Sequence, residues 1–142
     1  MSALTPELAA FVDAHKLGVL ATVSAEGRPR QSVVYYARDG ERLLITTEAG
    51  RWKARDAERT GWASLCVRGD EPPYPSATLA GPATILREDI GLATARIAQN
   101  VMGLGEPPEP QTDEALAAAG RVILAITIER VGPATYIGPA EP

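Results

Sequence analysis

Short apolar runs separated by turn-forming residues occupy most of the first half of the chain. They are rich in Val, Leu, Ile and Tyr and stand at 17–23, 30–37, 42–47 and 62–68. The sequence Arg38-Asp39-Gly40-Glu41 joins the second run to the third and has the composition of a hairpin turn. Runs of this length between such turns are typical of strands. We therefore predict four strands, with a turn at 24–27 between the first two.

The second half of the chain predicts further strands, one of them interrupted by a proline. A strand at 76–86 follows the proline-rich loop 69–75, which is unsuited to a sheet interior. Gly81-Pro82 lies within this strand and predicts a bulge or bend. The apolar run 122–128 and a last strand around Ala134–Ile137 complete the set. Six or seven strands with a few helices predict a mainly β protein, built as a closed or nearly closed antiparallel barrel.

Helical signals lie between these strands. Thr5-Pro6-Glu7 combines an N-cap hydroxyl, a proline and an acid, and predicts a helix that ends near His15. A second helix is expected at 89–102, and a short Ala-rich one at 114–119, after the exposed linker 103–112. The apolar face predicted for the 89–102 helix consists of Ile90, Ala93, Ile97 and Val101.

The remaining helix, expected at 51–60 and closed by Gly61, has its charges in an unfavourable order. A helix N-terminus carries about half a positive charge and favours an acid there by about 0.3–1 kcal/mol. In this helix the cations come first and the acids second: Arg51, Lys53 and Arg55, then Asp56 and Glu58. Cations at that end are stable when an anion docks among them and the free backbone N–H groups. The segment therefore predicts a phosphate site.

Composition narrows the class of protein. The 142 residues are 45% hydrophobic and 23% charged, which indicates one globular domain spanning 1–142. A net charge of −4 argues against nucleic-acid binding, so the basic cluster suits a small anionic ligand. No apolar run approaches the roughly 18 residues of a membrane span. With Cys66 as the single cysteine, no internal disulfide is possible, and we expect a cytoplasmic protein without membrane or nucleic-acid partners.

Few single side chains suggest chemistry of their own. His15, the only histidine, stands at a predicted helix C-terminus, where a structural or solvent-facing role is favoured. Cys66 alternates with Leu65 and Val67, so a buried, inert thiol is expected. A metal site has no support, because no cluster of Cys and His residues exists to supply the ligands.

The aromatic residues are expected mainly in packing. Tyr35 and Tyr36 point to opposite faces of their strand, so one is expected in the core and the other at an interface or ligand pocket. The sequence leaves open which is which. Trp52 and Trp62 are interpreted as packing residues rather than ligand-stacking ones.

The order of these motifs is similar to a known family. After the first helix come Gly18-Val19-Leu20-Ala21-Thr22-Val23, Gly27-Arg28-Pro29, Leu43-Leu44-Ile45-Thr46-Thr47, Arg51-x-Lys53 and Ala63-Ser64-Leu65-Cys66-Val67. Together they resemble the split β-barrel flavoproteins related to pyridoxamine phosphate oxidase. Within that group the chain is most similar to the short actinobacterial members that use the deazaflavin coenzyme F420.

The resemblance implies a homodimer with two cofactor sites at the subunit interface. Arg51 and Lys53 would hold the cofactor phosphate, helped by backbone N–H groups near Trp52, and Arg55 would meet the glutamate tail of coenzyme F420. The implied cofactor-binding residues are Ser32, Val33, Val34, Thr46, Thr47, Arg51, Trp52 and Lys53. The two threonines would lie beside the phosphate, and the backbone of residues 32–34 would line the pyrimidine edge of the ring.

Departures from the family pattern narrow the expected activity. Ser32 and Ala37 replace an Arg and a Lys of the true pyridoxamine phosphate oxidases, and the chain ends in Tyr136-Ile137-Gly138-Pro139 without their Arg-containing motif. Vitamin B6 oxidation is therefore not expected, and the missing strand-two cation disfavours tight FMN binding.

The resemblance instead implies hydride transfer from reduced coenzyme F420 to a planar conjugated acceptor, biliverdin-like or quinone-like. Tyr35 and Tyr36 are the candidate proton donors, and no other catalytic residue is identified. Two alternatives stay open. One is an FMN-binding reductase or oxidase of the same fold, and the other is a non-enzymatic protein that binds coenzyme F420.

Overall fold

Seven strands and four helices follow one another in the computed structural model, which describes residues 3–132 and 135–137. In chain order they are α1 (Pro6–Asp13), β1 (Leu17–Val23), β2 (Pro29–Asp39), β3 (Arg42–Glu48), α2 (Trp52–Thr60), β4 (Trp62–Arg68), β5 (Ser76–Leu86), α3 (Gly91–Met102), α4 (Asp113–Ala118), β6 (Arg121–Thr127) and β7 (Arg130–Val131). The helix ends follow the sequence signals: Thr5 Oγ1 caps α1, and Gly61 ends α2 in the left-handed conformation.

Six of the strands close into an antiparallel barrel. Their order is β4-β1-β2-β3-β6-β5, and β5 pairs again with β4 to complete the ring. Strand β7 adds to the outer edge of β5. The predicted fold class, a mainly β split barrel of six or seven antiparallel strands, is confirmed.

The barrel is split between β2 and β3. Residues 29–35 of β2 pair with β1, whereas only residues 36–39 pair with β3, opposite 42–45. Beyond Ile45, strand β3 continues along β6 as far as the Glu48–Arg121 pair. Among the described residues, the first half of β2 and the end of β3 are therefore not paired with each other, and the gap between these two segments is called the cleft below.

Strand β5 changes partners where the sequence predicts a bend. Residues 76–82 pair with β4 and residues 83–86 with β6, so the change falls at Gly81-Pro82. A Cβ atom at Gly81 would lie 1.7 Å from the Thr127 carbonyl oxygen. The bend therefore requires glycine, because the two backbones approach too closely for any side chain.

Two apolar clusters lie on opposite sides of the barrel wall. The interior cluster includes Leu20, Tyr36 and Leu65, together with Val12 of α1 and Ala57 of α2. The second cluster lies outside β2, β3 and β6 under α3 and α4, and consists of Ala37, Leu44, Ile90, Ile97, Leu116, Ile123 and Ala125. Ala93 and Val101 pack against it, which confirms the apolar face predicted for α3.

The wall formed by β1, β4 and the first half of β2 exposes large apolar side chains outward. Val23 is 43% exposed, Val33 65%, Tyr35 49% and Trp62 40%. Their neighbours on each strand point into the barrel, so the exposure follows from the alternation of the strands. This set of four residues is called the open apolar face below.

The end of the chain differs from the expectation. Strand β7 was not predicted, because Arg130-Val131 is too short to carry a pattern. The last strand expected at Ala134–Ile137 is reduced to one bridge, in which Tyr136 and Ser76 exchange backbone bonds of 2.6 and 2.7 Å. Ala134 lies outside the described residues. Within the described part of the chain, no helix is long and apolar enough to cross a membrane.

Candidate functional site

Helix α2 begins beside the end of β3, and the backbone N–H groups of its first turn are free to bind a ligand. Arg51 is the N-cap residue, and among the described residues no side chain caps the helix. The first helical bond runs from the Arg55 N–H to the Arg51 carbonyl at 3.2 Å. The N–H groups of Trp52, Lys53 and Ala54 therefore have no acceptor within the helix. Such N–H groups at the positive end of a helix form a favourable position for an anion.

Two cations lie at this helix start. Arg51 is exposed, and its Nε is 3.4 Å from Glu48 Oε2. Lys53 is half-buried, and its ammonium lies 5.5 Å from the centre of the Trp52 ring without a carboxylate partner among the described residues. Burial, with repulsion by Arg51, lowers the pKa of Lys53. An anion placed between the two cations would stabilise both.

A third cation reaches the same place from β6. Arg121 Nη2 donates to Thr46 Oγ1 at 2.9 Å, and its Nη1 lies 3.6 Å from Glu48 Oε1. Thr47 is buried in the strand beside it. Sequence reasoning missed Arg121, because only the register of β3 with β6 brings it opposite Glu48. Thr46 is therefore already bound to an arginine, whereas Thr47 is packed in the wall.

The three residues predicted on β2 do not all face the cleft. The Tyr36 N–H donates to the Lys16 carbonyl at 3.3 Å, which fixes the phase of the ladder between β1 and β2. Since hydrogen-bonded pairs alternate in an antiparallel ladder, the backbones of Ser32 and Val34 face β1. Only Val33 of the three turns its backbone N–H and carbonyl to the cleft.

Ser32 contributes a different feature. Its hydroxyl is buried and, among residues 3–132 and 135–137, is the one buried side-chain polar atom without a hydrogen-bond partner. Leaving such a group unpaired costs about 1–3 kcal/mol. A bound ligand or water that offers a partner would recover that cost, so the hydroxyl fits a binding site better than a finished core.

A buried carboxylate anchors the inner side of α2. Asp56 is 1% exposed and accepts from Arg30 Nε at 2.9 Å and Nη2 at 2.7 Å, from Thr22 Oγ1 at 3.0 Å, and from Arg59. Burial alone would raise the pKa of Asp56, but these hydrogen bonds outweigh it and the pKa is lowered. The carboxylate therefore stays ionised and ties α2 to β1 and β2.

Sequence reasoning missed the Arg30–Asp56 pair. The one available signal was an acid that shares its helix face with Trp52, close to the buried residues Ala54 and Ala57. The pair also bears on the basic residue that strand two loses at Ser32, because it shows a second cation of that strand at the start of α2. Arg30 lies one inward position before Ser32, and its guanidinium carbon is 5.3 Å from the centre of the Trp52 ring. Trp52 is therefore a contact surface for two cations, not only a packing residue.

A family model described as pyridoxamine 5'-phosphate oxidase matches residues 4–133. The chain belongs to the pyridoxamine 5'-phosphate oxidase family.

Solved structures share the fold at low sequence identity. One described as an F420 reductase is 24% identical, with a TM-score of 0.68 over 87% of this chain and 94% of the other. A conserved hypothetical protein from Mycobacterium tuberculosis is 23% identical, with a TM-score of 0.71 over 99% and 94%. The heme storage protein HutZ from Vibrio cholerae is 24% identical, with a TM-score of 0.64 over 92% of each chain. At these identities the likeness shows the fold alone.

The two adjacent tyrosines of this oxidase-family chain have separate positions. Tyr36 is fully buried, and its hydroxyl donates to the Val12 carbonyl at 2.5 Å. Burial, with the negative charge of Asp13, raises its pKa well above the ordinary value. Tyr35 belongs to the open apolar face. The expectation of one core tyrosine is confirmed, and the hydroxyl of Tyr36 is already engaged within the core. The expected place of Tyr35 at an interface or ligand pocket stays a prediction.

Of two other sequence expectations, the one for Cys66 was wrong and the one for His15 agrees with the structure. Cys66 is only partly buried, because it points outward from β4 while Leu65 and Val67 point into the barrel. The expectation of a buried thiol was therefore wrong. His15 is structural as expected: its Nδ1 lies 2.8 Å from the Phe11 carbonyl, and its ring centre lies 4.5 Å from that of Phe11.

Proposed function

We propose that this family member is a homodimeric oxidoreductase that uses a flavin-type cofactor, with coenzyme F420 favoured over FMN. Its reaction would be hydride transfer to a planar conjugated acceptor, biliverdin-like or quinone-like. The observation that supports it most is the free first turn of α2, where Lys53 is a half-buried cation without a carboxylate partner in the part of the chain that the structure describes. This start of the helix borders the cleft between β2 and β3.

The residues at the cleft fit such a cofactor in distinct ways. Arg51, Lys53 and the N–H groups of the first turn of α2 would hold the phosphate. The backbone of Val33 would meet the polar edge of the ring, and the unpaired hydroxyl of Ser32 lies on the same strand. The bound cofactor would supply the hydride chemistry, while the protein positions it and excludes water.

The open apolar face supports the homodimer. A second copy of this chain is the occupant that fits, because Val33 belongs both to this face and to the cleft edge of β2. A copy packed here would cover the apolar side chains and at the same time close over the cofactor. The family resemblance implies the same arrangement.

Titration of the purified protein tests the cofactor. We expect FMN and coenzyme F420 fluorescence to be quenched on binding, with the tighter dissociation constant for coenzyme F420. Replacing both Arg51 and Lys53 with Ala is expected to weaken binding by at least about a hundredfold, from two charge-assisted contacts. Arg42→Ala, an exposed cation on the far end of β3, is the matched control and should bind normally. Unchanged affinity in the double variant would overturn the phosphate assignment.

FMN is the second candidate cofactor, and one observation favours it. Arg30 supplies strand two with a guanidinium two residues before Ser32, the position at which the family's Arg is missing. Tighter binding of FMN than of coenzyme F420 would select this alternative.

If reduced coenzyme F420 binds but no quinone or tetrapyrrole acceptor oxidises it, the protein is a cofactor-binding protein rather than an enzyme.

A further inference from the structure

Arg30 and Lys53 lie over the same indole ring. The guanidinium carbon of Arg30 is 5.3 Å from the ring centre of Trp52, and the Lys53 ammonium is 5.5 Å from it. The distance between the two charges therefore cannot exceed the sum of these two values. Arg30 comes from β2 and Lys53 from α2, so the two residues approach the helix start from different elements.

Asp56 fixes the orientation of Arg30. It receives two parallel hydrogen bonds, from Nε at 2.9 Å and from Nη2 at 2.7 Å, which is the geometry that orients a guanidinium most strictly. The carboxylate is itself held by Thr22 and by the backbone of a packed helix. Arg30 is thus preorganised beside Trp52, the first residue of α2.

The guanidinium of Arg30, although held by Asp56, still has a nitrogen that can donate hydrogen bonds to a ligand. Nη1 of Arg30 has no hydrogen-bond partner among the described residues, and the side chain is 40% exposed. Asp56 is shared with Arg59, so one carboxylate faces two arginines and a positive charge remains in excess. An unneutralised, oriented guanidinium beside a free helix start has the features of a phosphate ligand.

We propose that Arg30 is a third cationic ligand of the cofactor phosphate, together with Arg51 and Lys53, and that Asp56 is its positioning residue. The inference rests on the proposed function. It assigns to the phosphate site a residue from β2 that the helix motif does not contain.

Two ligand pairs test the role of Arg30: the members of the first differ only in the phosphate, and those of the second differ in the phosphate together with the glutamate tail that it carries. FMN is compared with riboflavin, and coenzyme F420 with its phosphate-free chromophore alcohol, by fluorescence titration. Arg30→Gln is expected to weaken the phosphate-bearing ligands about tenfold or more and the phosphate-free ones less than about twofold. Arg30→Lys, which keeps a charge without the fork, should fall between the wild type and Arg30→Gln. Equal losses for both members of a pair, or no loss, would overturn the proposal.

The role of Asp56 is tested by coupling. Asp56→Asn removes the charge while keeping the shape, and it should weaken only the phosphate-bearing ligands. In the double variant with Arg30→Gln the losses should not add, because both changes remove one contact. Arg59→Gln is the matched control, since Arg59 binds the same carboxylate and the Val23 carbonyl, and it should leave phosphate discrimination unchanged. Additive losses would overturn the positioning role.

These titrations distinguish a failure of the proposed function from a failure of the role of Arg30 alone. If the wild type binds none of the four ligands, the proposed function fails and this inference fails with it. If the wild type prefers the phosphate-bearing ligands and Arg30→Gln retains that preference, the proposed function stands and only the role of Arg30 is lost. Thermal unfolding of each variant shows whether a loss comes from misfolding, and Arg30→Lys provides the comparison in that case.

Discussion

Asp56 on α2 binds Arg30 on β2 through both carboxylate oxygens, although the two residues are 26 positions apart in the chain. This single ion pair joins the helix that carries the predicted phosphate site to the strand that lines the cleft. It also places an ionised carboxylate in a buried position, with consequences for stability that can be measured.

Acid unfolding should depend strongly on Asp56. Its pKa is lowered in the folded protein, so its contribution to stability is present above the ordinary value of 3.8 and is lost as pH falls below that value through the folded pKa. We expect the unfolding midpoint in urea to fall steeply below about pH 4 in the wild type and less steeply in Asp56→Asn.

Glu58→Gln is the matched control for acid unfolding. Glu58 has a lowered pKa because Arg87 donates a hydrogen bond to it, but the pair is exposed and screened. This variant should follow the wild-type pH profile. A profile for Asp56→Asn that is parallel to the wild type between pH 3 and 6 would contradict the assigned role of Asp56.

As pH rises, cofactor binding should begin to weaken at a lower pH than it would if Lys53 had the pKa of an ordinary lysine. Burial and the neighbouring Arg51 lower the pKa of Lys53, and only its charged form attracts a phosphate. As pH rises through that lowered pKa, the dissociation constant of a phosphate-bearing ligand should increase. Lys53→Arg, which stays charged, should remove this pH dependence. An identical dependence in Lys53→Arg would assign the titration to another group.

The open apolar face should carry the dimer contact. Trp62→Arg places a charge among apolar residues of this face and is expected to shift the protein from dimer to monomer in light scattering after size exclusion. Leu92→Arg is the control, because Leu92 is 67% exposed but lies on α3, which packs outside β2, β3 and β6 and does not belong to the open apolar face. A monomeric wild type, or a dimeric Trp62→Arg variant, would remove this face as the interface.

The sequence predicted the elements well because their signals are local. Thr5 as a cap, Gly61 as a helix end and the bend at Gly81-Pro82 each follow from a few neighbouring residues. The cations at the start of α2 were found in the same way, from their order along one helix.

The rest of the candidate site depends on register between distant strands. Arg121 reaches Glu48 only because β6 pairs with β3, and Arg30 reaches Asp56 only because α2 packs Ala57 against the interior of the barrel. Nothing local distinguishes these two arginines from surface arginines such as Arg42 or Arg68. The phase of β2, which turns Val33 but not Ser32 or Val34 to the cleft, likewise belongs to the register of β2 with β1, and the bond from the Tyr36 N–H to the Lys16 carbonyl shows it.

The adjacent tyrosines give a matched pair of substitutions that separates stability from chemistry. Tyr36→Phe removes the hydrogen bond to the Val12 carbonyl inside the core, which should cost about 0.5–1.5 kcal/mol in urea unfolding. It should leave acceptor reduction unchanged, because the hydroxyl is buried and committed to α1. Tyr35→Phe should leave stability unchanged, since its side chain is 49% exposed, and it is the variant expected to slow turnover if a tyrosine donates the proton. Slower turnover in Tyr36→Phe than in Tyr35→Phe, measured at a temperature where both variants are folded, would contradict this division of roles.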